Sequence, residues 1–146
     1  MKKFLLIFLL FFTGCSIKNA LKQDPIYQKT LTYTQRGQII NSLETKAMID
    51  TVYLNPLFKD KFKNPTFLVG VYNDFDNTLN NAEFQLTLNG QKPLKISKEI
   101  PSYILYKKFP FYNEWMSYYI VEFPQTKKPY VLTYKSKHWG EAEFTF

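Results

Sequence analysis

The side chains that most often do chemistry are few in this chain. It has one histidine, His138, and one cysteine, Cys15. A single histidine excludes zinc sites built from several histidines, and a single cysteine excludes cysteine metal clusters and an intramolecular disulfide. His138 falls in a predicted turn, and no motif of a nucleophilic hydrolase, a zinc peptidase or a phosphate-binding loop is present. The sequence therefore predicts no catalytic residue, no metal and no cofactor.

One short segment, residues 73–77, concentrates oxygen ligands. Asp74 and Asp76 in it have the spacing that opens a calcium loop. However, Leu79 stands where such a loop needs glycine, and Gln85 where it needs the bidentate glutamate. Asn and Asp side chains also form the turns that end strands. We interpret the segment as a turn of this kind.

Aromatic side chains crowd residues 101–115, where Lys107 and Lys108 interrupt them. The segment is too long and irregular for a tight hairpin and is predicted to be an ordered loop. Exposed aromatic rings beside cations bind glycans, peptides or partner proteins, whereas rings turned inward cap the end of a core. Both interpretations stay open. The candidate binding residues are Tyr103, Tyr106, Phe109, Phe111, Tyr112 and Trp115.

The first fifteen residues have the order of an export signal. A cationic start, Met1-Lys2-Lys3, precedes nine apolar residues, 4–12. A membrane-spanning helix needs about 20 apolar residues, so this run has the length of a signal-peptide core instead. It ends in Phe12-Thr13-Gly14-Cys15, which resembles the lipobox of bacterial lipoproteins: an apolar residue, two small residues and the cysteine that receives lipid.

That resemblance implies how the protein is processed and where it resides. Residues 1–14 would be a removed signal peptide, and Cys15 would carry a diacylglyceryl thioether and an N-acyl chain. Three chains make release from a membrane negligible, since each buried CH₂ contributes about 0.8 kcal/mol. Ser16 follows the cysteine, and the absence of Asp there implies delivery to the bacterial outer membrane. Residues 15–26 are then a polar lipidated tether.

Processing lowers the charge of the chain without reversing its sign. Without Lys2 and Lys3, 17 basic and 12 acidic residues remain, and Arg36 is the only arginine. Proteins that bind nucleic acids depend on arginine for bidentate contacts, so we expect no nucleic-acid partner. We interpret the charge as solvation, with weak attraction to anionic lipid headgroups or cell-wall polymers.

The remaining residues, 27–146, are predicted to form one domain of short strands. Of the 146 residues, 18% are aromatic and only 5 are glycine, a composition that favours strands. Residues 38–54 fit two structures, an amphipathic helix or a strand over 45–54, of which we prefer the strand. Asn89-Gly90 is a tight-turn signal that leads into 92–98. The other predicted strands are 27–35, 66–72, 83–89, 115–123, 130–135 and 141–146.

This pattern predicts an all-β fold. Residues 66–72 are apolar on both faces, as in a central strand, whereas 83–89 and 141–146 alternate between apolar and polar residues. Such strands suit an antiparallel β-sandwich, loosely immunoglobulin-like in architecture, and a small closed barrel is the alternative. The predicted function is a non-catalytic binding or assembly module that contacts an envelope protein or the cell wall. A carboxylate-based hydrolase that uses Asp74, Asp76 and Glu114, or a purely structural component, are the alternatives.

Lipidation of Cys15 is the most direct test of the sequence prediction. Mass spectrometry of the protein purified from bacterial membranes should find a mature chain that begins at Cys15 and carries three acyl chains. The Cys15→Ser variant should keep its signal peptide or lose all membrane attachment. An unmodified thiol at this position, or a mature terminus elsewhere, would contradict the assignment.

Overall fold

The computed structural model describes residues 25–74 and 76–146 of the chain. The predicted signal peptide 1–14, Cys15 and the tether up to residue 24 lie outside these residues, while residues 25 and 26 belong to the first helix. Among the residues described, no helix is long and apolar enough to cross a bilayer.

One helix and eight strands make up the described part of the chain. In chain order they are α1 (Pro25–Thr32), β1 (Thr34–Asn41), β2 (Glu44–Tyr53), β3 (Thr66–Asn73), β4 (Phe84–Leu88), β5 (Lys95–Ser97), β6 (Ser117–Glu122), β7 (Val131–Ser136) and β8 (Glu141–Thr145). A single turn of 3-10 helix covers Tyr106–Lys108 between β5 and β6.

The strands form two antiparallel sheets, which confirms the predicted β-sandwich. The larger sheet has the order β1-β2-β3-β6-β5 and the smaller one the order β4-β7-β8. Their facing sides enclose an apolar core in which Phe84 and Tyr134 stack with ring centroids 5.3 Å apart. The fully buried Tyr134 donates its hydroxyl hydrogen to Asn73 Oδ1 at 3.0 Å, so this buried hydroxyl has a hydrogen-bond partner within the core.

The predicted first strand, 27–35, is wrong, because α1 occupies most of it and β1 begins only at Thr34. Pro25 stands at the start of the helix, where its missing N–H costs nothing. The threonines that suggested a strand are accommodated by the helix backbone. Thr32 Oγ1 donates to Gln28 O, and Thr34 Oγ1 donates to Thr30 O at 2.7 Å.

Residues 38–54 form a hairpin, so the strand predicted over 45–54 is confirmed and the helical alternative is wrong. β1 and β2 pair from Thr34 with Val52 to Asn41 with Glu44, with one irregularity between Ile39 and Ile40. The turn between them has Ser42 at φ 51° and Leu43 at φ 68°, both left-handed. Two positive φ values are what a two-residue hairpin turn requires, although Gly or Asn usually supplies them.

The turn at Asn89-Gly90 is confirmed, but the strand after it does not form the expected hairpin. Gly90 has a φ of 78°, and only Leu88 and Gln91 bridge across the turn. Continuing this pairing would place Pro93 opposite Leu86, and proline has no N–H for the ladder. The chain therefore leaves β4 and returns as β5 at the edge of the larger sheet.

The predicted central strand 66–72 and the closing hairpin of 130–135 with 141–146 are confirmed as β3 and as β7 with β8. β3 lies in the middle of the larger sheet and is buried on both faces. One face packs on the smaller sheet. The other lies beneath loop 54–65 and residues 99–116, which we call the covering segment, and both contribute to a second apolar cluster.

Candidate functional site

A row of four side-chain positions crosses the larger sheet beneath the covering segment. The strand register aligns Arg36, Asp50, Gly70 and Tyr118 on β1, β2, β3 and β6. The Asp50 side chain is fully buried and is held by two bonds from Arg36, Nε to Oδ1 at 2.5 Å and Nη2 to Oδ2 at 2.8 Å. This fork geometry compensates the buried carboxylate, which would be costly without a partner.

Gly70 makes room for the ring of Tyr118. A Cβ atom at position 70 would lie 2.6 Å from Tyr118 Cε1, closer than real Cβ contacts. The Tyr118 hydroxyl accepts the Asn113 N–H at 2.9 Å and so connects the sheet to the covering segment. Burial raises the pKa of Tyr118, which keeps this hydroxyl protonated.

The six candidate binding aromatics do not form one exposed surface. Phe109 and Phe111 are buried in the second cluster, and Tyr106 and Tyr112 are half-buried with ring centroids 5.3 and 5.4 Å from that of Tyr118. Four of the six therefore occupy the position of a core cap, the other interpretation of the segment.

Tyr103 and Trp115, at 44% and 52% exposure, are the exposed members of the six. Tyr103 packs on Phe58 in loop 54–65, whereas Trp115 packs on Tyr72 near the other end of β3. The two exposed rings are thus separated by most of the length of the sheet, and a single ligand of modest size cannot bridge them.

A groove of about 500 Å³ runs between the β5 edge of the larger sheet and the covering segment. This volume lies in the range of ordinary ligand sites. Its floor carries Lys95 and Glu122, which are cross-strand partners on β5 and β6. Its walls carry the apolar side chains of Phe62 and Ile100 and the carboxylate of Glu99. The groove therefore offers a cation, two carboxylates and apolar side chains to one ligand.

The strand β5 beside this groove extends past the smaller sheet. β8, at one edge of the smaller sheet, lies against β1, where Gln35 Nε2 donates to Thr145 O at 2.6 Å. Because the smaller sheet has only three strands, it does not extend as far as β5 at the opposite edge of the five-stranded sheet. As a result Leu94 is 62% and Ile96 39% exposed. β5 is three residues long, which is a common way to blunt an edge strand against uncontrolled pairing.

His138, the only histidine, lies in a cluster with Ser136 and Glu83 that resembles a catalytic triad in composition. The hydrogen bonds run in the wrong direction for a nucleophile. Ser136 Oγ donates to Glu83 Oε1 and accepts the N–H groups of His138 and Trp139 at 3.0 and 2.9 Å. His138 Nδ1 lies 2.7 Å from Glu83 Oε2, as the histidine of a triad would, but the serine hydroxyl is bonded to the same carboxylate and not to the imidazole. The cluster fastens the β7–β8 turn to the start of β4.

The carboxylates considered for a hydrolase or a calcium loop are also engaged in structural contacts. Asp76 accepts Thr78 N–H at 3.0 Å and the Thr78 hydroxyl at 2.6 Å, an Asx turn as expected. Asp74 pairs with Lys46 at 2.8 Å, and Glu114 is exposed in the covering segment. Within residues 25–74 and 76–146, no group of three His, Cys, Asp or Glu side chains is placed to hold a metal ion.

The groove residues were not identified from the sequence, because they come from three stretches of the chain that are far apart in sequence. Lys95 lies in the strand predicted after the Asn89-Gly90 turn, but that strand pairs with β6 and not with β4. Comparisons of the chain with protein-family models, with curated proteins and with solved structures give no match.

Glu83 gives a pH dependence that tests the β7–β8 cluster. The hydrogen bond from Ser136, and then those from His138, hold the pKa of Glu83 below its ordinary value of 4.5. A carboxylate with a lowered folded pKa stabilises the fold above its unfolded pKa and loses that effect as the pH falls through the folded value. Wild type should therefore exceed Glu83→Gln in urea midpoint at pH 7, and the gap should narrow progressively below pH 4.5.

The matched control is Glu143→Gln, which removes an exposed carboxylate from the adjacent strand β8. At pH 7 its urea midpoint should differ from that of wild type by less than the midpoint of Glu83→Gln does. A gap for Glu83→Gln that stays constant from pH 7 to pH 3 would show that Glu83 does not act through its ionised form.

Proposed function

We propose that this protein is a lipid-anchored, non-catalytic envelope lipoprotein of the outer membrane whose sandwich domain binds an extended segment of another envelope protein along β5. Cys15 supplies the anchor in this proposal. The observation that carries the binding role is the exposed edge strand β5, with Leu94 and Ile96 uncovered on one side and the groove on the other.

Strand addition suits this geometry for physical reasons. An extended segment that pairs with a free sheet edge gains backbone hydrogen bonds, and the alternating side chains of that segment give specificity. Every second side chain would face the groove, where Lys95 and Glu122 match a residue of either charge. The intervening side chains would cover Leu94 and Ile96, whose exposed apolar area favours burial at about 25 cal/mol per Å².

The hydrogen bonds of the Ser136 cluster support the non-catalytic part of the proposal. A serine nucleophile is usually activated by a histidine base, whereas here the hydroxyl donates to Glu83, a weak base whose pKa is lowered, and two backbone N–H groups occupy the oxygen. The second apolar cluster supports the choice of the β5 edge, because it takes up the aromatic side chains that were the other candidate surface.

Site-specific photo-crosslinking in intact cells tests the β5 edge. A crosslinking residue in place of Ile96, in the lipidated protein, should capture one envelope protein, and peptide mapping should place the link in an extended segment. The same residue in place of Gln85, exposed on the outer face of β4, should capture none. Equal capture from both positions would contradict a specific edge.

A pair of charge substitutions provides the matched variant test. Ile96→Asp should reduce recovery of the captured partner at least about tenfold, since a charge would replace an apolar contact. Leu105→Asp alters a similarly exposed leucine on the covering segment and should leave recovery unchanged. The Cys15→Ser protein, which lacks the anchor, is the control for the location of the partner. Loss of the partner in Leu105→Asp but not in Ile96→Asp would move the binding surface to the covering segment.

A further inference from the structure

The two ends of the sandwich carry opposite charge. We call the anchor end the set of loops 54–65, 89–94 and 123–130, which lie at the end where α1 enters β1. Tyr33 O, just after α1, accepts the Tyr53 N–H at 3.0 Å, and Gln125 Nε2 bonds Lys63 O. Asn89 Nδ2 donates to Lys127 O at 2.8 Å. These bonds connect the loops into one surface.

Lysine dominates the anchor end. Its three loops contain one acidic residue, Asp60, and α1 adds Lys29 and no acid. Among the residues described, no carboxylate forms an ion pair with a lysine of these loops. The lysines of the loops are Lys59, Lys61, Lys63, Lys92, Lys127 and Lys128.

The opposite end has acidic residues, and Lys46 and His138 there are paired with them, whereas Lys137 is not paired with any described residue. Its longest connection, residues 74–83, has three carboxylates and no lysine or arginine. Glu83 pairs with His138, and Asp74 pairs with Lys46, which also reaches Glu44 at 2.7 Å. Within the part of the chain that the structure describes, the loops of the anchor end thus hold six lysines without an ion pair, against Lys137 in the β7–β8 turn at the opposite end.

The lysine-rich end is also the end nearest to the proposed lipid. Nine residues separate Cys15 from Pro25, so these two residues can be at most about 35 Å apart. The helix α1 adds only about 12 Å before the chain enters β1. A lipid on Cys15 thus keeps this end within reach of the headgroups, where each lysine near an anionic surface is attracted measurably.

We infer that the anchor end is a docking surface for anionic lipid headgroups, which orients the sandwich with the acidic end away from the membrane. This inference rests on the proposed anchor, and it adds a second, electrostatic membrane contact. One lipid signal and one basic surface together fix both the location and the orientation of a domain. The edge strand β5 begins near the anchor end and runs toward the acidic end. In the inferred orientation it therefore points away from the membrane, and its free edge faces parallel to the membrane plane.

Vesicle binding of the unanchored protein tests the inference. The probe is the chain from residue 15 onward with Cys15→Ser, mixed with vesicles of phosphatidylcholine alone or with one third phosphatidylglycerol. Sedimentation should recover it with the anionic vesicles only, and binding should weaken steeply between low salt and 0.5 M salt. No binding to anionic vesicles at low salt would overturn the inference, and the mass of the membrane-purified protein would still report the lipid on Cys15 separately.

Two triple variants of equal charge locate the surface. Lys59→Gln, Lys63→Gln and Lys127→Gln together change exposed lysines of the anchor end, and should lower the vesicle partition coefficient on the order of a hundredfold. Lys107→Gln, Lys108→Gln and Lys137→Gln together change exposed lysines elsewhere and should change it little. An equal loss in both would show a response to net charge alone and overturn the inference. Tighter binding to a soluble anionic polymer than to vesicles of equal charge would overturn it in favour of a cell-wall polymer.

Discussion

The fold depends on the contact between Tyr118 and the bare backbone of Gly70. Because Gly70 has no side chain, the tyrosine ring lies across β3, and its hydroxyl binds the backbone of Asn113. The same row holds Asp50 and its partner Arg36 at the neighbouring strands. One line of residues therefore connects four strands to the covering segment, and it does so on the face that the smaller sheet leaves open.

This arrangement determines which surfaces remain for binding. The larger sheet has one face against the smaller sheet and the other against the second apolar cluster. Neither face of its central strands is available to a partner. Among the surfaces that remain are the edge at β5, which the smaller sheet does not reach, and the two ends of the sandwich. The proposals for a bound strand and for a lipid surface follow from this restriction, and they use different residues.

The parts of the fold that sequence predicted were those whose signal is local. The apolar run of β3 and the alternation of β8 reflect burial on two faces and on one face, and such patterns are complete within a few residues. The helix α1 was missed because threonine is more common in strands. Here the threonine hydroxyls donate to backbone carbonyls of the helix, and composition alone does not reveal such bonds. The path of β5 was missed because Pro93 blocks a hairpin that Asn89-Gly90 strongly favours.

The candidate site was less predictable than the fold, because it depends on register between distant strands. Gly70 and Tyr118 are 48 positions apart, and only the pairing of β3 with β6 makes them neighbours. Asp50 did leave a signal, since a lone carboxylate inside an apolar strand must find a buried partner. The aromatic segment gave a strong composition signal, but the same rings suit a core and a binding surface equally.

Amide hydrogen exchange of the unbound protein tests most directly whether the aromatic segment is a cover or a free surface. The amides of Phe109, Tyr112 and Asn113 donate to Tyr106 O, Phe109 O and the Tyr118 hydroxyl at 3.0, 3.0 and 2.9 Å. We expect them to exchange at least about a hundredfold more slowly than in an unstructured chain. Exchange at the unstructured rate, with β3 still protected, would show that the segment is free of the sheet and that its rings are the available binding surface.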